Sequence, residues 1–449
     1  MSAELESAGI DLPSMRVKPP GPRSRALNAR LDALDCPAFA KRRADRAAMS
    51  GDEMGPIVLE RGRGANLWDA DENRYVDLAA GFGSVLLGHS AVEITRAVSS
   101  QAERLTQGLG DLYASEVKIR LVERLATLHP SKDARVLLCQ SGADAVTAAL
   151  KTAMLSTNRA GVLAFEGAYH GLGYGPLAAC GFKESYRAPF APQLSPHVRF
   201  VPYPRASADS SETLARVQHT LEEGTIGAIL VEPILGRGGV VVPPDGFLLG
   251  LSALAHAHGA LVIADEIWTG LGRSGSLTRM SAVGAQFDIL CLGKGLGGSL
   301  PISACIASDP VMQAWARGGE VVHTSTHAGA PLACAAALAT LDALDENSLC
   351  ERARSIGESF LTELRMTLRG SLGVVGIRGV GLMIGIELTS GELGLRVLRS
   401  LLDRGYLATS GGRAHEVVVL TPPLVITEEQ LAAAAAAIHE ALTSHGNLP

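Results

Sequence analysis

Between residues 135 and 307 the chain repeats one pattern: a short apolar run, a polar or glycine-containing tip, then a stretch with helical spacing. The runs are RVLLC (135–139), GVLAF (161–165), VRFVPY (198–203), IGAILVE (226–232), ALVIADE (260–266), DILCLG (288–293) and ISACIA (302–307). They are nearly continuous rather than alternating, as strands buried on both faces of a sheet must be. The intervening helices include 211–223, where Asp209 and Glu212 have capping-box spacing, and 247–259, stopped by its glycine. Apolar strands alternating with helices predict an α/β fold with a mostly parallel central sheet wrapped by helices.

The flanks read differently. Residues 1–55 are Pro- and Arg-rich, then helix-like through LNARLDALDCPAFAKRRADRAAM, an arm that gains order by packing on something else. GANLWDADENRYVDLAAG (64–81) reads as a hairpin around the turn residues Asp69 to Asn73. After 345, helices surround GIRGVGLMIGIEL and HEVVVLTPPLV, which suits a smaller α+β domain; Thr427 and Gln430 cap the alanine run that follows. The expected division is an arm (1–55), the first part of the small domain (56–100), a large domain (101–345) and the rest of the small domain (346–449).

Composition narrows the functions. With 449 residues, 47% hydrophobic and 19% charged, the chain has material for a large core. A net charge of −6 gives no electrostatic reason to expect nucleic acid or an anionic membrane as partner. The seven cysteines are scattered, odd in number and without metal-ligand pairing, so reduced thiols in a cytoplasmic protein are expected, and no metal. Neither a signal core nor a membrane-spanning run is found.

Chemistry enters at ILCLGKGLGGSL (289–300). Lysine occurs seven times against 33 arginines, and none follows Lys294. A solvated cation here needs no lysine, but a residue that must lose its proton and attack a carbonyl cannot be arginine. A phosphate loop is excluded, because Asp288 and Gly295 stand where that pattern needs Gly and Ser or Thr. GLGRSG (270–275) matches G-x-G-x-x-G and makes an NAD-dependent oxidoreductase the remote alternative. Its context is wrong, since Asp265, Glu266 and Ile-Trp-Thr separate the strand from the glycines.

An imine-forming lysine that serves a pyridoxal cofactor needs a carboxylate for the ring nitrogen, amides for the phosphate and a flat side chain against the ring. Asp265 ends ALVIAD. CQSGADAVTAALK (139–151) turns from strand to helix with Gly142 and Ala143 in the turn, and FEGAYHG (165–171) offers Tyr169. Each lies at the carboxyl end of an expected strand, where open α/β sheets place ligands.

These segments, with VEPILGRGGVVVPPDGF, LVIADEIWTGLGRSG, DILCLGKGLGGSLPISA, HTSTHAGAPLACAAALA, IRGVGLMIGIEL and LTPPLVIT, occur in one order between about 55 and 440. The ordered set resembles the class III, or ω-type, pyridoxal-phosphate aminotransferases of fold type I. The resemblance implies a ping-pong transfer of an amino group between an amine or amino acid and a keto acid. It implies pyridoxal 5'-phosphate on Lys294 as a Schiff base, with Asp265 at the pyridine nitrogen. Gly142 and Ala143 fall on the phosphate, Tyr169 on the ring, and Thr326 on a neighbouring subunit's phosphate, hence a homodimer with composite sites. Phe82, Glu232, Trp268 and Arg413 fall in the substrate pocket. An amino acid or amino-lactam racemase or epimerase on the same fold is the alternative.

Three departures bear on substrate. Val419 stands where many relatives carry a carboxylate-gripping arginine, leaving Arg413 or Arg237 as alternative cations. Trp268 replaces a common glutamine and walls the pocket with apolar surface. HAGAP at 327–331 replaces the usual Phe-Gly-Gly-Asn-Pro beside Thr326.

Overall fold

The computed structural model describes residues 9–50, 55–110 and 112–445. They divide into two units, one of residues 92–351 and one of the segments on either side. Of the expected arm, residues 1–8 and 51–54 lie outside the described part. The remainder forms α1 (Pro22–Asp32) and α2 (Pro37–Ser50), with Pro37 opening the second helix. The hairpin follows as β2 (Asn66–Asp69) and β3 (Arg74–Asp77), with β1 (Leu59–Arg63) antiparallel to β2.

Beneath this hairpin lies a buried polar cluster. Asp69 Oδ1 accepts the amides of Asp71 and Asn73, both at 2.9 Å, while Oδ2 accepts Asn73 Nδ2 at 2.9 Å and the Tyr75 hydroxyl at 2.7 Å. Asn73 Oδ1 accepts the Arg16 and Val17 amides, and Asn66 exchanges hydrogen bonds with the Asp11 backbone. Every member finds partners, so burial costs little.

The unit of residues 92–351 holds the main sheet. It comprises β4 (Arg135–Cys139), β5 (Gly161–Phe165), β6 (Val198–Val201), β7 (Ile226–Val231), β8 (Leu261–Asp265), β9 (Ile289–Leu292) and β10 (Ser303–Ala307). All seven strands start within a residue of the expected runs. Their order is β4-β10-β9-β8-β7-β5-β6. β10 is antiparallel to both neighbours and every other pairing is parallel, so six strands point one way. Every residue of β7, β9 and β10 is buried, which explains the unbroken apolar runs. Each Leu or Ile there contributes about 2 kcal/mol of burial.

Helix α3 (Gly142–Thr157) lays Ala145, Val146, Ala148 and Ala149 on this sheet, in one core with Ile263, Ile289, Cys291 and Cys305. Its start is fixed by Ser141, whose side chain accepts the Asp144 amide at 3.2 Å. Helix α4 (Ser207–Glu222) corrects the expected cap: it begins four residues early, and Asp209 sits inside its first turn. The Asp209 carboxylate reaches back to the amides of Arg205 and Ala206, while Glu212 pairs with Arg216. The N-cap is Ala206, so the cap is supplied by the Asp209 side chain rather than by a residue preceding the helix.

The chain then returns to the first unit. β11 (Val374–Val380), β12 (Met383–Leu388), β14 (Thr409–Gly411) and β15 (Val417–Leu420) form an antiparallel sheet, while β13 (Tyr406–Leu407) joins β3. The last helix, α5 (Glu428–His445), has the expected capping box: the Thr427 amide donates to Gln430 Oε1 and the Gln430 amide to Thr427 Oγ1. Among the described residues no helix is long and apolar enough to cross a membrane.

Candidate active site

Because β4, β9, β8, β7 and β5 run in one direction, their carboxyl ends share one edge of the sheet. The loops leaving those ends interlock. Asp265, the last residue of β8, is buried, and its Oδ2 lies 2.7 Å from His170 Nδ1 in the loop after β5. Its Oδ1 accepts the Ile267 amide at 3.2 Å. Glu232, directly after β7, accepts the Tyr169 amide at 2.6 Å on one oxygen and the Gly236 amide at 2.9 Å on the other. It thereby ties the loop carrying Tyr169 to its own. The Tyr203 hydroxyl donates to the backbone carbonyls of Glu232 and Pro233 beneath it.

Lys294 follows β9 in a short 3₁₀ turn with φ of 42°, a left-handed conformation that costs a side-chain-bearing residue about 1 kcal/mol. Its Nζ lies 4.6 Å from the centroid of the Trp268 ring. Desolvation holds the amine below the ordinary lysine range, against the upward pull of Asp265 and Glu232 and with help from the positive charge of Arg237. Desolvation likewise pushes the Glu232 carboxyl up. The neighbouring Glu266, fully buried, is pushed up to about 7 by the same cause; it accepts the Thr269 hydroxyl and the Met280 amide.

Two glycines allow the loops to close. Gly171 has φ of 109°, and a Cβ there would lie 2.6 Å from the Ala143 Cβ; one at Gly236 would lie 2.2 Å from the Trp268 ring. At the α3 start the Gly142 and Ala143 amides have no intrahelical acceptor. They lie at the positive end of a 16-residue helix, ready for an anion. Tyr169 packs edge-on to Phe182, with ring centroids 6.3 Å apart.

The structure therefore brings Lys294, Asp265, Glu232, Tyr169 and Trp268 together and sets the Gly142–Ala143 turn against Gly171 beside them. Thr326 is exposed, its carbonyl accepting from Gln107 Nε2 at 2.9 Å, outside this cluster. Phe82, 58% exposed with φ of 58°, and the exposed Arg413 belong to the other unit. Val419 is buried in β15. His170 was missed by sequence reasoning, although a second polar residue beside Tyr169 at a strand tip was the signal. GLGRSG opens no helix: 268–276 runs as turns with Arg273 fully buried, which removes the dinucleotide reading.

The model for the aminotransferase class-III family matches residues 47–442. The chain belongs to the class III aminotransferases. It is 37% identical over 337 residues to the acetylornithine aminotransferase of Methanothermobacter thermautotrophicus, covering 74% of this chain and 81% of that one. It is 30% identical over 406 residues to the alanine/serine racemase of Pyrococcus horikoshii, covering 86% and 81%. Among solved structures, a PLP-bound amine transaminase from an uncultivated Pseudomonas species superposes with a TM-score of 0.82 at 28% identity, over 88% of this chain and 96% of that one. The fold is that of the fold type I transaminases, and the aminotransferase works with pyridoxal 5'-phosphate.

The residues present in this aminotransferase fit that cofactor. Two buried nitrogens lack a protein partner, the Trp268 Nε1 donor and His170 Nε2, and would be open to the cofactor's polar atoms. A desolvated amine, a buried carboxylate and a free amide pair lie at the tips of strands on the same edge.

Proposed function

We propose that the chain moves an amino group from an amino acid to a keto acid at this strand-tip cluster, with Lys294 as the proton carrier. The carrying observation is the convergence of Lys294, Asp265, Glu232 and His170 from four different strand ends. Pyridoxal phosphate, when bound, supplies the carbonyl that captures the amine and a ring that spreads the charge left by proton loss. Gly142 and Ala143 hold the phosphate with their amides, and Tyr169 presents its ring to the cofactor face. Asp265, oriented by His170, would be the carboxylate that favours a protonated pyridine nitrogen. Lys294 Nζ, whose neutral form desolvation favours, would take the proton from the substrate carbon and deliver it to the cofactor carbon on the other side of the amine nitrogen. Glu232 keeps Tyr169 in register through its two amide contacts.

In this reading residues 92–351 form the cofactor-binding domain. A homodimer is supported by the exposed Leu105, Leu109, Leu112, Tyr113 and Ile119, in the segment that bonds through Gln107 to the Thr326 loop. In such a dimer Thr326 serves the neighbouring subunit's phosphate. A cytoplasmic location is supported by seven free cysteines, five of them buried.

The test is a single half-reaction. Holoenzyme is mixed with one donor and no acceptor, taking first N-acetylornithine and 5-aminovalerate, which the relatives' names suggest, then alanine. Loss of the visible cofactor band with stoichiometric carbonyl product, reversed by a 2-oxo acid, is the expected result. Inversion of alanine or serine with the band retained and no carbonyl product assigns the racemase activity instead.

A further inference from the structure

We infer that Arg237 is the residue that receives the carboxylate of the substrate, so that this site is built for amino and keto acids rather than simple amines. The inference rests on the transamination reading above and deepens it.

Arg237 directly follows Gly236, whose amide is held by Glu232 and whose backbone lies against the Trp268 ring that Lys294 faces. Its guanidinium carbon sits 5.1 Å from the Tyr169 centroid and 5.2 Å from that of Phe182, two rings perpendicular to one another. Two aromatic contacts fix the plane of the group and reduce the rotamer freedom a binding event would otherwise have to remove. They leave the N–H edge to recognise something else.

Among the described residues no hydrogen-bond acceptor is found for the buried Nε of Arg237, and no carboxylate lies within ion-pair distance of it. Several arginines of the same unit are paired, Arg124 with Asp345, Arg135 with Asp309 and Arg216 with Glu212. Arg187 and Arg279 share with Arg237 a buried Nε without a partner but do not face the Lys294 cluster through Tyr169. A partly buried guanidinium without an anion is unfavourable, and the cost is recovered when a carboxylate arrives and takes two parallel hydrogen bonds. The cation also lies within electrostatic reach of Lys294, whose amine it disfavours in the charged form. Once Lys294 is neutral, Arg237 remains as the positive charge of the cluster. Val419 offers no such charge, being apolar and buried in its own sheet.

The test uses holoenzyme of wild type, Arg237→Gln and Arg237→Lys, each checked for cofactor absorbance and melting temperature. Glutarate, a carboxylate that cannot react, is titrated calorimetrically. Expected is at least tenfold weaker binding in R237Q and at least threefold in R237K, which keeps the charge but loses the fork. The half-reaction rate with alanine relative to ethylamine, its analogue without the carboxylate, falls at least tenfold in R237Q. Glutarate affinity equal to wild type in both variants overturns the inference, as does a loss that strikes alanine and ethylamine alike, since Arg237 then only props Tyr169 and Phe182. Should R237Q fail to fold, R237K with unchanged glutarate affinity overturns it. Wild type that binds glutarate through Arg237 yet converts no donor refutes transamination and leaves the anion site standing.

Discussion

Two buried polar clusters, one in each unit, use similar residue types and behave oppositely. Around Asp69 every carboxylate oxygen has two donors, the Tyr75 hydroxyl among them, and Asn66 and Asn73 close the network on backbone. Around Asp265 the strand tips leave His170 Nε2, Trp268 Nε1 and Arg237 Nε buried without partners, and desolvation holds the Lys294 amine below the ordinary lysine range. The first cluster is finished when the chain has folded. The second is finished only when something binds. Between these two clusters, unmet hydrogen-bond capacity rather than polarity or burial is the difference.

The sharpest way to break this contrast is to exchange the consequences. Lys294→Ala should lower the single-turnover half-reaction rate by at least about four orders of magnitude, while the apoprotein's melting temperature stays at or above wild type. Asp69→Ala should do the reverse, costing about 3 kcal/mol in urea unfolding as buried donors lose their acceptor, with turnover per folded molecule retained. A Lys294 variant that unfolds, or an Asp69 variant that is stable but inactive, would erase the distinction.

A third experiment sharpens it by pH. Glu266, raised from 4.5 to about 7, keeps its proton after the unfolded chain has lost its own, so stability falls as pH climbs between those values. Glu266→Gln removes that loss. In urea titrations of the apoprotein it should gain about 2.5 kcal/mol on wild type between pH 5 and pH 8. A flat difference would show that burial does not hold the proton on Glu266. The smallest effect is geometric. Gly171→Ala presses the loop after β5 into the Gly142–Ala143 turn, and pyridoxal phosphate affinity, followed by fluorescence titration of the apoenzyme, should fall about tenfold.

What could be read in the sequence follows from the range of the forces involved. The strands were legible because burial on both faces demands unbroken apolar runs, and Lys294 and Asp265 because each ends one. The His170–Asp265 contact joins residues 95 positions apart, and no local pattern encodes it. The reversal of β10 is equally silent, since SACIA is apolar whichever way it runs. Arg237 was visible as an unexpected charge; its two aromatic neighbours were not. The start of α4 was not legible because its N-cap is Ala206, a residue without a capping side chain, while Asp209 caps from inside the first turn.

The reversed strand has one more consequence. β10 stands between β4 and β9, with Ser303 paired to Cys139 and its hydroxyl donating to the Ser141 carbonyl at 2.6 Å. It acts as a ruler: two strand spacings, about 10 Å, separate the strand that leads to the anion-binding turn from the one that leads to the lysine. That gap is written in main-chain ladders that no side-chain replacement can lengthen. Descendants of this scaffold are therefore bound to one length of prosthetic group, and novelty in what they convert has to come from the mouths of the loops, at places such as 237 and 268.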